Sequence, residues 1–299
     1  MEIFENEHLS PLSRFLRTYY VPMLGNRNSF LKLKLRLVGK KFFKEAILIL
    51  LSLINSRVTI VLVRILQQRV GFGYDSGLTS EVDRFAREAQ KFKLKNPVVL
   101  DVGANLGDWS NEFNSRVNNC VIHAFEPSKE TYLSLVESTK ESPNINVYNF
   151  GLGGANNSQK LYYNEEKSGM ASLSKRDLKH FGIEFEKFEN VEVIRLDGFL
   201  EENSIKPDFV KIDVEGHELA VLEGLGDYIN DLKVIQFEFG GTDIDSRTFF
   251  HDFWIFFEGK NFDLYRLAPR GLIQVDAYRE IDEVFSFTTY FAISKGPRL

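Results

Sequence analysis

Asp101-Val-Gly-Ala-Asn-Leu-Gly-Asp-Trp-Ser110, followed some twenty residues later by Phe125-Glu126-Pro127, is the stretch on which the reading of this chain turns. Val98-Val99-Leu100 precedes it and predicts a short buried strand after Pro97. Glycines then allow a tight turn and a close backbone approach to a ligand. Asp108-Trp-Ser-Asn-Glu predicts the start of a helix, and Cys120-Val-Ile-His-Ala-Phe a second strand that ends on the acid Glu126. Strand, glycine turn, helix, strand and terminal acid make a nucleotide-binding βαβ unit, with the acid placed for ribose hydroxyls.

Two cofactor classes fit that pattern. Dinucleotide sites use G-x-G-x-x-G so that a pyrophosphate can approach a helix N-terminus. Here the spacing is Gly103-Ala-Asn-Leu-Gly107, and Asp101 stands before it. An acid there repels pyrophosphate and suits a cationic ligand, which favours S-adenosylmethionine (SAM) over NAD. The plainer alternative for Asp101 is a turn-fixing or capping role.

Outward from this unit, the α/β rhythm continues. Asn146–Gly153 reads as a third strand running into a glycine turn, Gln159–Tyr163 as a strand of an inserted hairpin, and Val191–Asp197 as a strand with one exposed face. Phe209–Asp213 and Lys233–Phe239 read as core strands. Phe262–Leu267 and Thr289–Ser294 are expected as an antiparallel pair at one edge. Helices are expected over Lys129–Thr139, His217–Leu225 and Arg247–Gly259. Residues 164–190 are polar and show no period. Ligands of open α/β sheets lie beyond the carboxyl ends of the strands, which would bring Asp101, Glu126, Gly151, Asp213 and Glu238 to one rim.

Val210-Lys-Ile-Asp-Val-Glu-Gly-His-Glu218 is the densest concentration of chemistry. Asp213 ends a buried strand, where a carboxylate needs a partner. His217 among carboxylates reads as a general base, or more plainly as a solvated first-turn residue. Glu215 and Glu218 also suit the positive end of a helix. Asp213 and Glu238 close neighbouring strands and are the candidates for a Mg²⁺ ion, which is not expected to be required.

The chain of 299 residues fits one large or two modest domains. Its single cysteine, Cys120, excludes an internal disulfide framework and suits a reducing, cytoplasmic compartment. Charge is uneven. Residues 1–70 hold twelve Lys/Arg against four Asp/Glu, a net of +8, while the remainder carries −13 of the overall −5. The basic segment is also apolar: Phe30–Val38, Lys40–Lys44 and Ala46–Ile54. Residues 1–80 are therefore expected to form a basic helical extension to a catalytic domain spanning 81–299. Within residues 46–66 the unbroken apolar run stops at Ile54, short of the roughly 20 residues that spanning needs. A helix packed on the catalytic domain or on a homodimer partner is the first expectation. Interfacial contact with anionic lipid and a membrane span are the alternatives. Nucleic acid is not expected, since the basic residues alternate with Leu and Phe.

Taken in order, Asp-Val-Gly-Ala-Asn-x-Gly, Phe-Glu-Pro, Gly-Leu-Gly and Lys-Ile-Asp-Val-Glu-Gly-His-Glu resemble the FkbM-type SAM-dependent methyltransferases. The stretch Gln236–Phe250 is similar to a bacterial branch of that family. The resemblance covers about residues 97–294 and leaves residues 1–80 outside. It implies a Rossmann-like, seven-stranded class I methyltransferase sheet and O-methylation of a hydroxyl, often on a sugar of a surface glycan or natural product. It also implies a site. Asp101, Gly103, Ala104, Asn105 and Gly107 would hold the methionine moiety, Glu126 and Pro127 the ribose, and Phe150-Gly151 would border the adenine. Asp213, Glu215 and His217 would face the acceptor. The reading from another class is a SAM-fold scaffold of a glycan-assembly complex without turnover. An NAD-dependent oxidoreductase is the third.

Overall fold

The computed structural model describes residue 45, residues 56–75 and residues 77–296. It divides into one unit of residues 1–63 and another of residues 64–299. Most of the expected basic extension, including Phe30–Val38 and all but one residue of the span 40–54, lies outside the described residues. The described helices begin with α1 (Ser56–Arg69), which buries none of its side chains. Among the described residues no helix is long and apolar enough to cross a membrane.

The larger unit continues through α2 (Leu78–Lys91), β1 (Val98–Val102), α3 (Asp108–Arg116), β2 (Val121–Phe125), α4 (Lys129–Thr139), β3 (Ile145–Tyr148), β4 (Gly151–Gly153) and β5 (Asn157–Tyr163). After a long excursion come β6 (Lys187–Arg195), α5 (Leu196–Glu202), β7 (Phe209–Ile212), α6 (Glu218–Gly224), β8 (Val234–Phe239), α7 (Thr242–Ser246), α8 (Phe250–Phe257), β9 (Phe262–Ala268), β10 (Gly271–Gln274) and β11 (Thr288–Ser294). The main sheet has the order β10-β9-β11-β8-β7-β1-β2-β3. Strands β3, β2, β1, β7 and β8 are parallel, and β11 runs antiparallel to both its neighbours. This is a Rossmann-like sheet of eight strands where seven were expected, with β10 added at the edge.

Apolar β-branched and aromatic runs place the parallel strands between two helical layers, so both faces are covered. One face packs Phe237, Phe253 and Tyr290 in parallel stacks, with ring centroids 4.9 Å and 5.4 Å from Phe237. The other gathers around Phe85 of α2, whose ring lies 5.3 Å from Trp109 and 5.5 Å from Phe291. Fully burying a side chain of that size contributes about 1.5–3 kcal/mol. Glu81 of the same helix accepts from Gln236 Nε2 at 2.8 Å and Thr289 Oγ1 at 3.2 Å. Upstream, Val70 O accepts from Arg266 Nε at 2.6 Å, and the Arg266 guanidinium sits 3.7 Å from the Phe72 ring. A boundary at residue 80 thus cuts into α2 and separates residues 70–73 from the side chain they brace.

Three sequence expectations are corrected in detail. Asn146–Gly153 is not one strand. Asn149 Nδ2 donates to the carbonyls of Glu126 and Pro127 at 3.0 Å and 3.1 Å, which turns the chain off the main sheet. The following β4 joins a separate three-stranded sheet of order β4-β6-β5. Strand β6 is longer than expected and stops at Arg195, with Leu196 opening a helix. Finally, β9 and β11 do pair antiparallel, but β11 lies inside the sheet and β10 forms the edge.

Candidate active site

The glycine turn is built by backbone contacts. Gly103 N and Ala104 N both donate to Phe125 O, at 3.1 Å and 2.9 Å, so the chain leaving β1 folds across the end of β2. Gly103 has φ +77°, and a Cβ there would lie 1.8 Å from the carbonyl oxygen of Asp213. Only a residue without a side chain lets the ends of β1 and β7 meet in this way. Asn105 follows with φ 48°. Its N–H donates to Glu126 Oε2 at 3.1 Å, and Ser128 N donates to Glu126 Oε1 at 2.9 Å. The Asn105 side-chain oxygen is buried without a hydrogen-bond partner.

Glu126 is 7% exposed. Burial pushes its carboxyl up to about 7, although the two backbone donors favour the charged form. It lines a cavity of about 80 Å³ together with Gly103, Asn105, Pro127, Gly151 and Glu215. Leu161 and the segment from Ser168 to Leu173 form the opposite wall. A second cavity, of about 240 Å³, shares Gly103, Asn105 and Asp213 with the first and adds Leu78, Glu81, Ala104 and Lys211.

Asp101 does not line either cavity. It is fully buried, accepts from Ser110 Oγ at 2.6 Å, and pairs with Lys211 Nζ at 3.1 Å. Lys211 also lies 3.4 Å from Asp213 and donates to Gly103 O at 2.8 Å. Burial by itself would lower the Lys211 pKa, but Asp101 and Asp213 outweigh it and hold the ammonium above its ordinary range. The acid before the glycine turn is therefore spent on a buried lysine. That lysine ties β1 to β7 directly beneath the cleft.

The turn after β7 is closed by Glu218, whose carboxylate accepts from Val214 N at 3.0 Å and from Gly216 N at 3.0 Å. Glu215 takes the left-handed conformation, φ 56°. A non-glycine residue held there stores strain of order 1–3 kcal/mol, a feature that clusters at functional sites. Ser172 Oγ donates to Glu215 O at 2.6 Å, and Arg176 Nη1 donates to Glu215 Oε2 at 3.3 Å. Arg176 also pairs with Asp245 of α7 at 3.5 Å. Burial and then the neighbouring Asp213 push Glu215 up to about 8, with Arg176 opposing them. The same burial raises Glu238 well above its ordinary range.

The expected site residues thus separate into two groups. Gly103, Asn105, Glu126, Pro127, Gly151, Asp213 and Glu215 converge on one cavity, and Ala104 on its neighbour. The others face elsewhere. Gly107 opens α3 against Leu135 and Ser138. Phe150 packs into the aromatic cluster of Phe125, Tyr148 and Phe199. The His217 ring sits against Gly153, with Nε2 3.1 Å from where a Cβ on that glycine would lie. Asp213 and Glu238 gain no third ligand, since among the described residues no group of three or more His, Cys, Asp or Glu side chains could hold a metal ion. Lys211, Ser172 and Arg176 were not singled out by sequence reasoning. A lysine inside the apolar run Phe209–Ile212 was the available signal, because a buried ammonium requires an acid.

The methyltransferase FkbM domain matches residues 101–264. A hexuronic acid methyltransferase, AglP of Haloferax volcanii, is 27% identical over 149 residues, which cover 48% of this chain and 56% of that protein. The match therefore spans little more than half of the relative's length. Among solved structures, the plantazolicin methyltransferase BamL with a triazolic desmethyl analogue and SAH aligns at TM-score 0.42 and 11% identity, covering 73% of this chain and 84% of that one. A fibrillarin/Nop5p complex aligns at TM-score 0.40 and 15% identity, over 69% and 79%.

Proposed function

The chain belongs to the FkbM methyltransferase family, and from that premise we propose that it uses SAM to methylate a hydroxyl group, on a sugar of a glycan or natural product. One observation carries the cofactor assignment. Glu126 and Asn105 present a buried carboxylate and a partnerless buried amide oxygen to the same cavity. The carboxylate suits two ribose hydroxyls, and the amide oxygen suits an ammonium donor. Gly103, where the ends of β1 and β7 meet, would floor the methionine moiety, while Pro127 and Gly151 would flank the base.

SAM supplies a methyl group on a sulfonium that is already an activated leaving group. What the protein must add is alignment of the acceptor oxygen and removal of its proton. Asp213 and Glu215 stand at the cavity mouth for that work. Glu215 is our choice of base, because burial and the neighbouring Asp213 raise its carboxyl towards working pH, which favours taking up the acceptor's proton. Its pairing with Arg176 fixes its direction. The 27% identical hexuronic acid enzyme lends support to a sugar acceptor.

Two expected results test this reading. Titrating SAM calorimetrically, Glu126→Ala should lose about 1–3 kcal/mol of affinity, the magnitude of hydrogen bonds to a charged group. In the wild type the affinity should fall as pH drops below about 7. Ribose hydroxyls donate to the ionised form, so bound SAM lowers the pKa, and protonating Glu126 opposes binding. Equal affinity in the variant at every pH would remove Glu126 from the site. For turnover, Glu215→Gln should lose about 10²-fold or more in kcat, consistent with loss of a general base. His217→Ala should stay near the wild-type rate. Wild-type activity should rise with pH through about 8, as Glu215 ionises, and this rise should vanish in Glu215→Gln. If His217→Ala instead abolishes the rate, the base assignment fails.

A further inference from the structure

A third cavity, of about 330 Å³, lies between α2 and the turn joining β9 to β10. Ser80, Asp83, Arg84 and Arg87 line it from the helix. At 3.6 residues per turn they share the face turned away from the buried Val82 and Phe85. Arg270 contributes from the turn, and Tyr74 closes one side. The Arg84 guanidinium reaches the adjoining Gly271, where a Cβ would make ordinary contact with Nη2 at 3.5 Å.

Three guanidinium groups line this space with little to balance them. Asp83 is the only acid in the lining and is engaged by Arg116. Arg84 stands 3.7 Å from Glu88, which Lys91 holds more closely at 2.7 Å. Arg87 and Arg270 enter no ion pair among the described residues. Arginine cannot shed its proton in a protein, so this charge is permanent. Arg84 and Arg87 are three apart on one helix, an arrangement of like charges that costs a few tenths of a kcal/mol. The surroundings make the cluster stand out further, because residues 71–299 carry a net charge of −13.

We propose that this cavity binds a phosphoryl group carried on a larger molecule. Guanidinium forks match tetrahedral phosphate oxygens in pairs, and the hydroxyls of Tyr74 and Ser80 add donors. The volume exceeds that of a lone inorganic anion and leaves room for an organic substituent. The phosphoryl group can come from a soluble phosphate ester or from a lipid headgroup. Helix α2 also lines the second cavity, which shares Gly103, Asn105 and Asp213 with the proposed cofactor site, through Leu78 and Glu81. An acceptor held here by its phosphoryl group would lie on the same helix that lines the second cavity beside Asp213, a link that rests on the methyl-transfer reading.

Pyrophosphate is the probe. Titrated into the full-length protein at low ionic strength, it should bind, and Arg87→Gln/Arg270→Gln should bind about tenfold more weakly or worse, the loss expected for charge-assisted contacts. Arg270→Gln alone, at an exposed turn, should lose part of the affinity. Lys95→Gln, which removes the same charge elsewhere, should leave it intact. SAM titrations of each variant should match the wild type, which separates this test from that of the cofactor site. Co-sedimentation with phosphatidylcholine/phosphatidylglycerol vesicles distinguishes the sources. Pelleting that is lost in the double variant and competed by pyrophosphate identifies a headgroup, and pelleting unchanged by the substitutions identifies a soluble ester. No pyrophosphate binding by the wild type, equal binding by the double variant, or an equal loss in Lys95→Gln would each overturn the proposal.

Discussion

Lys211→Ala is expected to destabilise the protein by about 3–5 kcal/mol, the cost of removing one partner from a buried ion pair. Asp101 is fully buried, and Lys211 is its cation. Without the ammonium, the carboxylate keeps only Ser110 and must ionise uncompensated or take up a proton. The Gly103 carbonyl loses its donor as well. Urea denaturation measures the effect as a lower midpoint at an unchanged slope. A companion variant separates charge from packing. Lys211→Met combined with Asp101→Leu removes both charges while keeping volume, and should recover much of the loss, since apolar replacement of a buried pair is often neutral or better. A shift below about 1 kcal/mol in Lys211→Ala, the range of exposed pairs, would mean that water reaches this site.

Gly103→Ala is expected to abolish SAM binding within the measurable range and to lower stability. The position has φ +77°, where an alanine costs roughly 1–2 kcal/mol. Sterics add more. The new Cβ would meet the Asp213 carbonyl oxygen at 1.8 Å, and that atom belongs to a backbone held by Val102 O and the buried β7. Relief requires parting the ends of β1 and β7, which are the floor of the cleft. Calorimetry with SAM and a thermal scan read the two effects separately. Retained affinity would show that the turn can open without disturbing the ligand.

Much of this architecture was legible in the sequence because it rests on local pattern. The strands β1, β2, β7 and β8 are short apolar runs, and the glycine turn and terminal Glu126 sit at fixed offsets from them. The residues those signals singled out, Gly103, Asn105, Glu126 and Asp213, line one cavity. What local pattern could not give was direction across the sheet. Asp101 and Lys211 occupy facing positions on paired strands, a fact set by the register of β1 with β7. Their partnership joins positions separated by 109 intervening residues and was not visible in local pattern. His217 is a second case in which direction was not legible. Its neighbours in sequence are chemical, but the turn points its ring at Gly153. The excursion before β6 carried no period, yet a backbone bridge to Tyr162 and long-range side-chain contacts bring Ser172 and Arg176 to Glu215.

The placement of β11 has a consequence for how the chain is made. It follows every other described strand in the chain, yet it lies in the interior of the sheet, between β8 and β9, with Tyr290, Phe291 and Ala292 wholly buried. Until those residues leave the ribosome, β8 has an unpaired edge and the β9–β10 hairpin has nothing to join. The sheet cannot zip progressively to its far edge, because β9 and β10 join the five parallel strands only through β11. During that interval an apolar strand edge is open to other nascent chains, the kind of surface for which chaperones compete.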